Sequence, residues 1–549
     1  MQKKIGDILI DYQFYNSNTN YSDGEIEDVL LKAAKNKQLE ELLYTSNSWA
    51  VLYHCSNLRE NLLEWYPFKK GASLLEIGSG CGALTGLFSR KVESVTCIEL
   101  SEKRSMINAY RNQERDNIRI ILGNLQDIQL EEKFDYITLI GVWEYAGVYF
   151  SGRFPHLEML NTAKQYLKED GVLLIAIENK MGIKYWNGAV EDHTGVMYSG
   201  LNDYVDDKNV ACTFSRPEIE ELINRSEISA YRFYYPMPDY KLPEVIYSDE
   251  RLPQPGEIRN YRKDYSAAHV YNFYDAVVCD QLCRDRMTAY FANSFLVECG
   301  SVTGKVVYAK YSRMRKKEYE ISTAIIKSDV GYIVKKKPLT LEAIHHVKRM
   351  EKYVSDGEGG VGFVNGYLEN DSFILDYIEG EDLEAVFYRY RKDAGLFMEK
   401  TKEVIQKYLK PDKDQLVEFV ITDEYRSLFG DNYVKKGVCL KTTNLDLIFS
   451  NLRLDKEGRI RCIDYEWVCD FPIPYEYVLW RALTQLYTKY MIYLKNQLSR
   501  QNYLIEAGLD RNNFEIYERM EQKLSEKVYK KDYLKRYRKQ AMTYNIRFV

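Results

Sequence analysis

The sequence predicts an open, doubly wound α/β sheet through its first half, then a smaller α+β unit and a helical tail. Three observations carry this. Residues 74–99 read as a short apolar strand, a glycine-rich turn, a helix of about three turns and a second apolar strand ending in a carboxylate. From 101 to 179 strand-like apolar runs alternate with helical ones, as a mainly parallel sheet requires. From about 276 the strand-like runs lose their crossover helices, which is the pattern of an antiparallel sheet.

Size and composition bound the rest. A chain of 549 residues is too long for one hydrophobic core. Its 45% hydrophobic and 29% charged content is that of a globular protein, and a net charge of −5 is not that of a nucleic-acid binder. Tyrosine is abundant, 48 residues, and aromatic faces serve sugar rings as well as packing. The ten cysteines show no Cys-x-x-Cys pair, and Cys279 and Cys283 lack partners at zinc-like spacing, so free thiols in a reducing compartment are expected. Asp7 and Asp11 come too early for a signal peptide and no run approaches a membrane span, so a cytoplasmic location is expected.

Residues 1–70 read as a mainly helical extension, from the apolar spacing of 26–43 and the run from Arg59 to Trp65 before Pro67. Such an extension can cover a ligand pocket or simply pack. The strand Leu74-Leu75-Glu76-Ile77 then enters Gly78-x-Gly80-x-Gly82. Glycines serve where a ligand approaches the backbone and the chain turns through conformations that a side chain forbids. The following helix offers its unpaired N–H groups to that ligand. Glu99, at the tip of the second strand, sits where an acid accepts hydrogen bonds from ribose hydroxyls.

Two cofactors fit this layout. Gly78, Gly80 and Ala83 satisfy a loose dinucleotide fingerprint, which is weak by itself. A pyrophosphate gains nothing from the carboxylate of Glu76 beside the loop, whereas a cationic sulfonium with an amino-acid tail does. The run Glu76-x-Gly78-x-Gly80-x-Gly82, with Glu99 on the next strand, resembles motif I and its successor acid in class I S-adenosylmethionine (SAM) methyltransferases. The resemblance covers roughly residues 71–232. It implies a Rossmann-like fold, methyl transfer, and cofactor binding by Glu76, Gly78, Gly80, Gly82 and Glu99. It also implies that Asn124, after the strand Ile118–Leu122, touches the adenine, where an acid is more usual. Gly141, closing the strand Phe134–Ile140, should lie beside the methyl donor.

The acceptor side follows the fifth strand, which runs from a glycine turn at Gly171 to Glu178-Asn179. The loop beyond it holds Tyr185, Trp186 and the cluster Glu191-Asp192-His193-Thr194-Gly195. His193 has a pKa suited to taking a proton from a hydroxyl, with Glu191 beside it, so both are candidate catalytic residues. A loop histidine held by Glu191 or Asp192 is an equal reading. Tyr185 and Trp186 either stack on a glycan ring or anchor the loop. Methyl transfer is an in-line displacement that depends on positioning, so a dedicated base is not required. Prolines and tyrosines at 234–240 and 252–255 mark a domain connection. The expected boundaries are a domain at 71–245, a connection at 246–275 and a second domain at 276–500.

In that second domain, strands are expected at 291–298, 306–311, 319–326 and 331–337, then a helix over 340–354 and a strand beginning at Ser372. Asp446 and Asn451 stand five apart, and Asp464 ends a strand thirteen residues later. Phosphoryl transfer uses one aspartate to orient the acceptor hydroxyl, and an asparagine with a second aspartate to hold magnesium. The set resembles the catalytic loop and metal-binding aspartate of protein-kinase-like small-molecule kinases. That implies catalysis by Asp446, metal ligands Asn451 and Asp464, and ATP with Mg²⁺ as cofactors. Asn444 stands where that family has histidine, and Tyr465-Glu466 replaces Phe-Gly. The phosphate-binding lysine is either Lys336, with Glu351 as its candidate partner, or Lys310, which fits the local strand pattern better. No glycine-rich phosphate loop is evident, so a catalytically silent scaffold stays open.

Residues 501–549 form the tail, with a basic helix expected over 514–538. It is a solvated helix or coiled coil, or else it docks on a membrane surface or a partner such as a glycosyltransferase. The whole architecture resembles bifunctional kinase–methyltransferases that cap bacterial O-polysaccharide. The resemblance implies O-methylation of a glycan or glycolipid precursor, or of its phosphate, at the inner membrane face, with no nucleic acid involved. The alternatives are a methyltransferase with a silent kinase-like scaffold, and an NAD-dependent oxidoreductase.

Overall fold

The structure, a computed structural model, describes residues 2–17, 24–206, 211–258, 269–329, 331–354, 361–434, 437–530 and 545–547. The chain forms two compact units, one of Met1–Pro253, Asn260–Lys310 and Leu534–Val549, the other of Gln254–Arg259 and Tyr311–Tyr533. Among the described residues no helix is long and apolar enough to cross a membrane.

The strands of the first unit are β1 (Gln2–Ile5), β2 (Ile8–Phe14), β3 (Ser73–Ile77), β4 (Ser94–Glu99), β5 (Ile118–Gly123), β6 (Phe134–Ile140), β7 (Leu167–Glu178), β8 (Tyr231–Met237), β9 (Val245–Ser248), β10 (His269–Tyr271), β11 (Ser294–Gly300) and β12 (Val306–Tyr311). Its helices begin with α1 (Glu25–Lys35), α2 (Leu39–Thr45), α3 (Trp49–Cys55), α4 (Thr85–Lys91) and α5 (Glu102–Asn112). The middle of the sheet runs β2-β5-β4-β3-β6-β7, all parallel. Strands covered on both faces read as unbroken apolar runs, and β7 is buried from Gly171 to Glu178. The chain lays β4 and β5 on one side of β3, then β6 and β7 on the other. The connections leaving β3 and β6 therefore run in opposite directions and open a crevice beyond the carboxyl ends of these paired strands, the usual ligand position in such sheets.

Three expectations shift here. The mainly helical opening begins instead with a hairpin, β1 on β2, which extends the sheet beyond β5. The strand expected at 291–298 within the second domain is β11, which lies antiparallel between β7 and β8 in the first unit. The first unit accordingly continues to Lys310, past the expected boundary at 276, and β9 lies inside the expected connection. Residues 259–268 of that connection lie outside the described residues. The helix after the glycine loop, α4, has seven residues, or about two turns. The fifth strand, expected to begin at the Gly171 turn, starts earlier, at Leu167.

The second unit holds β13 (Ile321–Ser328), β14 (Gly331–Pro338), β15 (Val361–Phe363), β16 (Gly366–Glu369), β17 (Ser372–Asp376) and β18 (Gly380–Asp382). β13, β14, β17 and β16 form an antiparallel meander in that order. The expected helix over 340–354 is a short α-helix, Ile344–Lys348, continued by a 3₁₀ turn, Arg349–Tyr353. A helical core follows, centred on the helix Tyr475–Leu494. Its tyrosines pack as rings and place their hydroxyls on partners, Tyr490 on the Glu384 carbonyl at 2.8 Å and Tyr487 on that of Leu498 at 2.7 Å. The tail helix ends at Val528, and Tyr517, Met520, Leu524 and Val528 bury its apolar face in this core. That face is not available for membrane docking. The basic run at 531–540 lies outside the described residues.

Candidate active site

The glycine loop folds as its residue types demand. Gly78 and Gly82 hold φ of 69° and 73°, and added Cβ atoms there would come 2.4 Å from Val142 Cγ2 and 2.3 Å from Asn108 Oδ1. Gly78 N donates to the Ile98 carbonyl at 2.8 Å, tying the end of β3 to β4. The Glu99 carboxylate accepts from Gly80 N at 2.7 Å and Ser101 N at 2.8 Å, so it braces the loop as it faces the cavity. Burial raises its pKa, against the opposing pull of Arg104 and these amides.

A cavity of about 430 Å³ opens at the crevice, within the range of small-ligand clefts. Gly78, Glu99, Asn124 and Gly141 line it, as the sequence implied. Trp49, Ala50, Tyr53 and His54 of α3 line it as well, so the N-terminal extension does reach the pocket. Asn124 Oδ1 accepts from Gln126 N at 3.2 Å while its Nδ2 donates to the Tyr149 carbonyl at 2.8 Å. That fixes the side chain at the cavity wall.

Gly80 and Gly82 are not among the lining residues and act by shaping the loop. Glu76 is also turned away from the cavity. It lies buried under the loop, accepting from Thr85 Oγ1 at 2.5 Å, and Thr85 in turn accepts from Asn108 Nδ2 at 3.0 Å. Burial pushes its pKa up to about 7 despite those hydrogen bonds. Its role here is to hold α4 and α5 to β3.

The far end of the cavity is built from strand ends. Glu144 follows β6, Glu178 ends β7, and Asp192 and His193 stand on the next loop. Tyr240 and Lys241 come from the segment after β8. Lys241 pairs with Glu178 and, at 3.1 Å, with Asp192, while Lys184 pairs with Asp192 at 2.6 Å and Asp239 at 3.2 Å. His193 sits with Nδ1 3.2 Å from the Tyr145 hydroxyl and Nε2 3.6 Å from Glu178 Oε2.

Glu191 is not brought into this group. Its Oε2 accepts from the backbone N–H of His193 at 2.9 Å and of Thr194 at 2.7 Å, and Oε1 accepts from the Tyr204 hydroxyl at 3.3 Å. It shapes the loop that presents His193, and the carboxylates that stand beside the ring are instead Glu178 and Glu144. Of the aromatic pair, Tyr185 is an anchor, buried with its hydroxyl 2.5 Å from Asp192, whereas Trp186 is 43% exposed.

Charge decides the protonation of this cluster. Burial would lower the His193 pKa, but Glu178 and then Glu144 outweigh it and lift it to about 9. The ring is therefore a cation at neutral pH, and the base role expected of His193 requires it to lose that proton first. Burial, with Glu178 beside it, pushes Glu144 up to about 8. Burial also opposes the charge on Glu178, but Lys241 and His193 hold its pKa below the ordinary range.

Both raised values make the native state bind protons that the unfolded chain releases. The His193 contribution is complete below its ordinary 6.5 and is lost as pH rises through about 9. The Glu144 contribution is lost between its ordinary 4.5 and about 8. The melting temperature should thus fall by several degrees from pH ~6.5 to ~9. Glu178→Gln, which removes the carboxylate holding the His193 proton, should make that fall smaller in thermal melts across the range.

In the second unit, the residues singled out in the sequence also meet. Lys336 donates to Asp464 Oδ1 at 2.7 Å and pairs with Glu466. Asn451 Nδ2 donates to the Asp446 carbonyl at 3.0 Å, and Asp446 Oδ2 accepts from Trp467 N at 2.8 Å. Asn444 bridges the loop, accepting from Asp446 N at 2.9 Å and donating to the Asp464 carbonyl at 3.1 Å. It therefore supplies the support that its departure from histidine put in question. Burial, then Asp464 and Glu466, raise Asp446 to about 7.

The structure separates the two candidate lysines. Lys310 lies on β12 opposite Val245 in the first unit, so Lys336 is the one at the acids. The candidate partner Glu351 is exposed on its 3₁₀ turn, and Glu466 takes its place. Glu466 is also held by Arg315 at 2.6 Å and has His346 Nε2 at 3.5 Å.

Residues 75–175 match the sequence model of a family described as a methyltransferase domain. No curated protein matches the chain in sequence. Among solved structures it is similar to phosphoethanolamine N-methyltransferase 1 of Haemonchus contortus, in complex with phosphoethanolamine and S-adenosylhomocysteine. That match has 16% identity and a TM-score of 0.29, over 52% of this chain and 51% of that one. It is also similar to the N-methyltransferase NodS of Bradyrhizobium japonicum in complex with S-adenosylhomocysteine. There the identity is 13% and the TM-score 0.26, over 48% of this chain and 97% of that one. This chain thus spans about half the length of the first of these proteins, and scores so low carry no conclusion of their own. The family match falls on β3 to β7 and the glycine loop, and it favours the methyl-donor reading over the nicotinamide one: residues 75–175 form a methyltransferase domain, and the resemblance to the class I SAM-dependent enzymes holds for it.

Proposed function

We propose that the first unit transfers a methyl group from SAM to a hydroxyl of a carbohydrate acceptor. The observation that carries this is one continuous cavity reaching from Gly78, Glu99 and Asn124 to Glu144, Glu178 and His193. The residues present suit the donor. Ile77, Ile98 and Leu125 offer apolar walls to an adenosyl group, Glu99 retains acceptor capacity for ribose hydroxyls, and Gly78 leaves room at the backbone. When bound, SAM supplies a methyl carbon activated by its positive sulfur.

The chain's own work is positioning and charge. Gly78 and Gly141 let the backbone approach the donor, α3 screens the cavity from water, and the His193 set faces the acceptor. Trp186 ends the short helix Ile183–Trp186 and is 43% exposed but does not line the cavity, so the sugar acceptor rests on the architectural resemblance. The test is mass spectrometry of glycan-lipid precursors incubated with the full chain and methyl-labelled SAM. One labelled methyl per acceptor is expected, and a product that also forms with the His193→Gln chain would place the acceptor elsewhere.

A second reading concerns the second unit: phosphorylation of the acceptor with ATP and Mg²⁺. It is supported by Lys336 meeting Asp464 beside Asp446 and Asn451, the donor set that nucleotide phosphates and magnesium require. Asp464 and Asn451 would hold the metal and Lys336 the phosphates. Lys336 must first leave Glu466, and a network that stays closed is the signature of the scaffold alternative.

A further inference from the structure

We propose that Glu144, Glu178 and His193 hold a divalent cation of the manganese or zinc type at the acceptor end of the cavity. This rests on the methyltransferase reading of the first unit and deepens it, because the cation would receive the acceptor's hydroxyl.

One donor atom from each of the three side chains lies within 4.8 Å of the other two. Ligands bonded at about 2.1 Å stand up to about 4.2 Å apart, so small side-chain rotations close the set around one ion. Glu144 and Glu178 are 1% and 0% exposed. Even so, Glu144 Oε2, Glu178 Oε2 and His193 Nε2 have no hydrogen-bond partner. A buried carboxylate oxygen without a donor is costly; the 3.6 Å ion pair of His193 Nε2 with Glu178 Oε2 offsets part of that cost, and a divalent cation that displaces the Nε2 proton would serve all three atoms at once.

The remaining atoms are committed in the manner of a supported metal site. Glu178 Oε1 takes Lys241 and, at 3.3 Å, the Tyr240 hydroxyl. His193 Nδ1 meets the Tyr145 hydroxyl at 3.2 Å, which sets the ring with Nε2 towards the carboxylates. Glu191 fixes the backbone of His193 from behind. Glu178 ends β7 on the rigid sheet, and Glu144 stands on the 3₁₀ turn Trp143–Tyr145 just after β6.

Two carboxylate oxygens and an imidazole nitrogen, with no thiolate, suit a first-row divalent cation. Three protein ligands leave coordination positions open for substrate. An organic ammonium would find the carboxylates but gain little from the imidazole, so a metal ion is the better occupant. With a hydroxyl of the acceptor in an open position, the cation's charge eases loss of its proton to solvent water. The oxygen's lone pair then forms the bond to the methyl carbon as the carbon–sulfur bond breaks, and that bond's electron pair goes to sulfur. The cation keeps its oxidation state.

The test uses the full chain carrying Asp464→Asn, which weakens the acids of the second unit as a competing site. After treatment with chelator it is titrated with Mn²⁺ and, separately, with S-adenosylhomocysteine by calorimetry. One Mn²⁺ per chain is expected, with affinity at least ~10-fold weaker in Glu144→Gln and in His193→Gln. Binding of S-adenosylhomocysteine should change by no more than about twofold in either variant, which also shows that they fold. No heat with Mn²⁺, or the same Mn²⁺ affinity in the two variants as in the chain that keeps Glu144 and His193, would overturn the proposal. A chain that binds Mn²⁺ through Glu144 but takes no S-adenosylhomocysteine would support the cation site and overturn the methyltransferase reading beneath it.

Discussion

Replacing Gly78 by valine should remove methyl-donor binding from the first unit. The position holds φ of 69°, where a β-branched residue is a genuine outlier, and such strain costs on the order of 1–3 kcal/mol. The new Cβ would also meet Val142 Cγ2 at 2.4 Å, a collision that costs a further ~1–3 kcal/mol in a packed interior. The loop can relieve both only by moving into the cavity that Gly78 lines. Affinity for S-adenosylhomocysteine should fall at least ~100-fold, since each 1.4 kcal/mol is about tenfold. The melting temperature should drop with it. Equilibrium binding and a thermal scan on the same preparation read both effects.

Asp464→Ala carries the other large effect. If the second unit transfers phosphoryl groups, Asp464 is the carboxylate that holds magnesium against the phosphates, and its loss should lower ATP turnover by on the order of 10³-fold or more. The substitution also releases Lys336 from one of its two carboxylates, leaving the pair with Glu466. The measurement is ATP turnover by the full chain, wild type beside Asp464→Ala, with a thermal melt of each to show that the variant folds. Turnover absent from both chains assigns the second unit to a scaffold role.

The parts of the site that the sequence revealed are those written in local spacing. Gly78, Gly80, Gly82 and Glu99 belong to one strand–turn–helix–strand unit, and the backbone conformations the turn needs are ones that glycine supplies. Asp446, Asn451 and Asp464 were picked out by the same kind of spacing, and the structure shows Asn451 bonded to Asp446 and Asp464 to Lys336. Glu76 and Glu191 were visible as carboxylates, but the direction of their side chains was not. Each turns inward, Glu76 to Thr85 and Glu191 to backbone N–H groups, because a buried loop must satisfy its own polar groups before it can serve a ligand.

What escaped sequence reading is long-range. Glu144 and Glu178 were adjacent to noticed strand ends, and an acid closing a buried strand was the available signal. Lys241 gave no signal, since only tertiary folding brings the segment after β8 to the end of β7. The strand β11 reads as an ordinary apolar run, and nothing local says that it pairs with β7, more than a hundred residues earlier. The positions of Lys310 opposite Val245 and of Lys336 on Asp464 likewise follow from register and packing that no local pattern carries.

The central claim is that the cavity under the glycine loop binds a methyl donor whose ribose is gripped by Glu99. Calorimetry with S-adenosylhomocysteine on the wild-type chain of 549 residues, beside Glu99→Ala, tests it most directly. Hydrogen bonds to a charged carboxylate contribute about 1.5–3 kcal/mol. The wild type should therefore bind one equivalent per chain, and Glu99→Ala should bind it at least ~10-fold more weakly. No heat from the wild type, or the same affinity in both chains, would contradict the account.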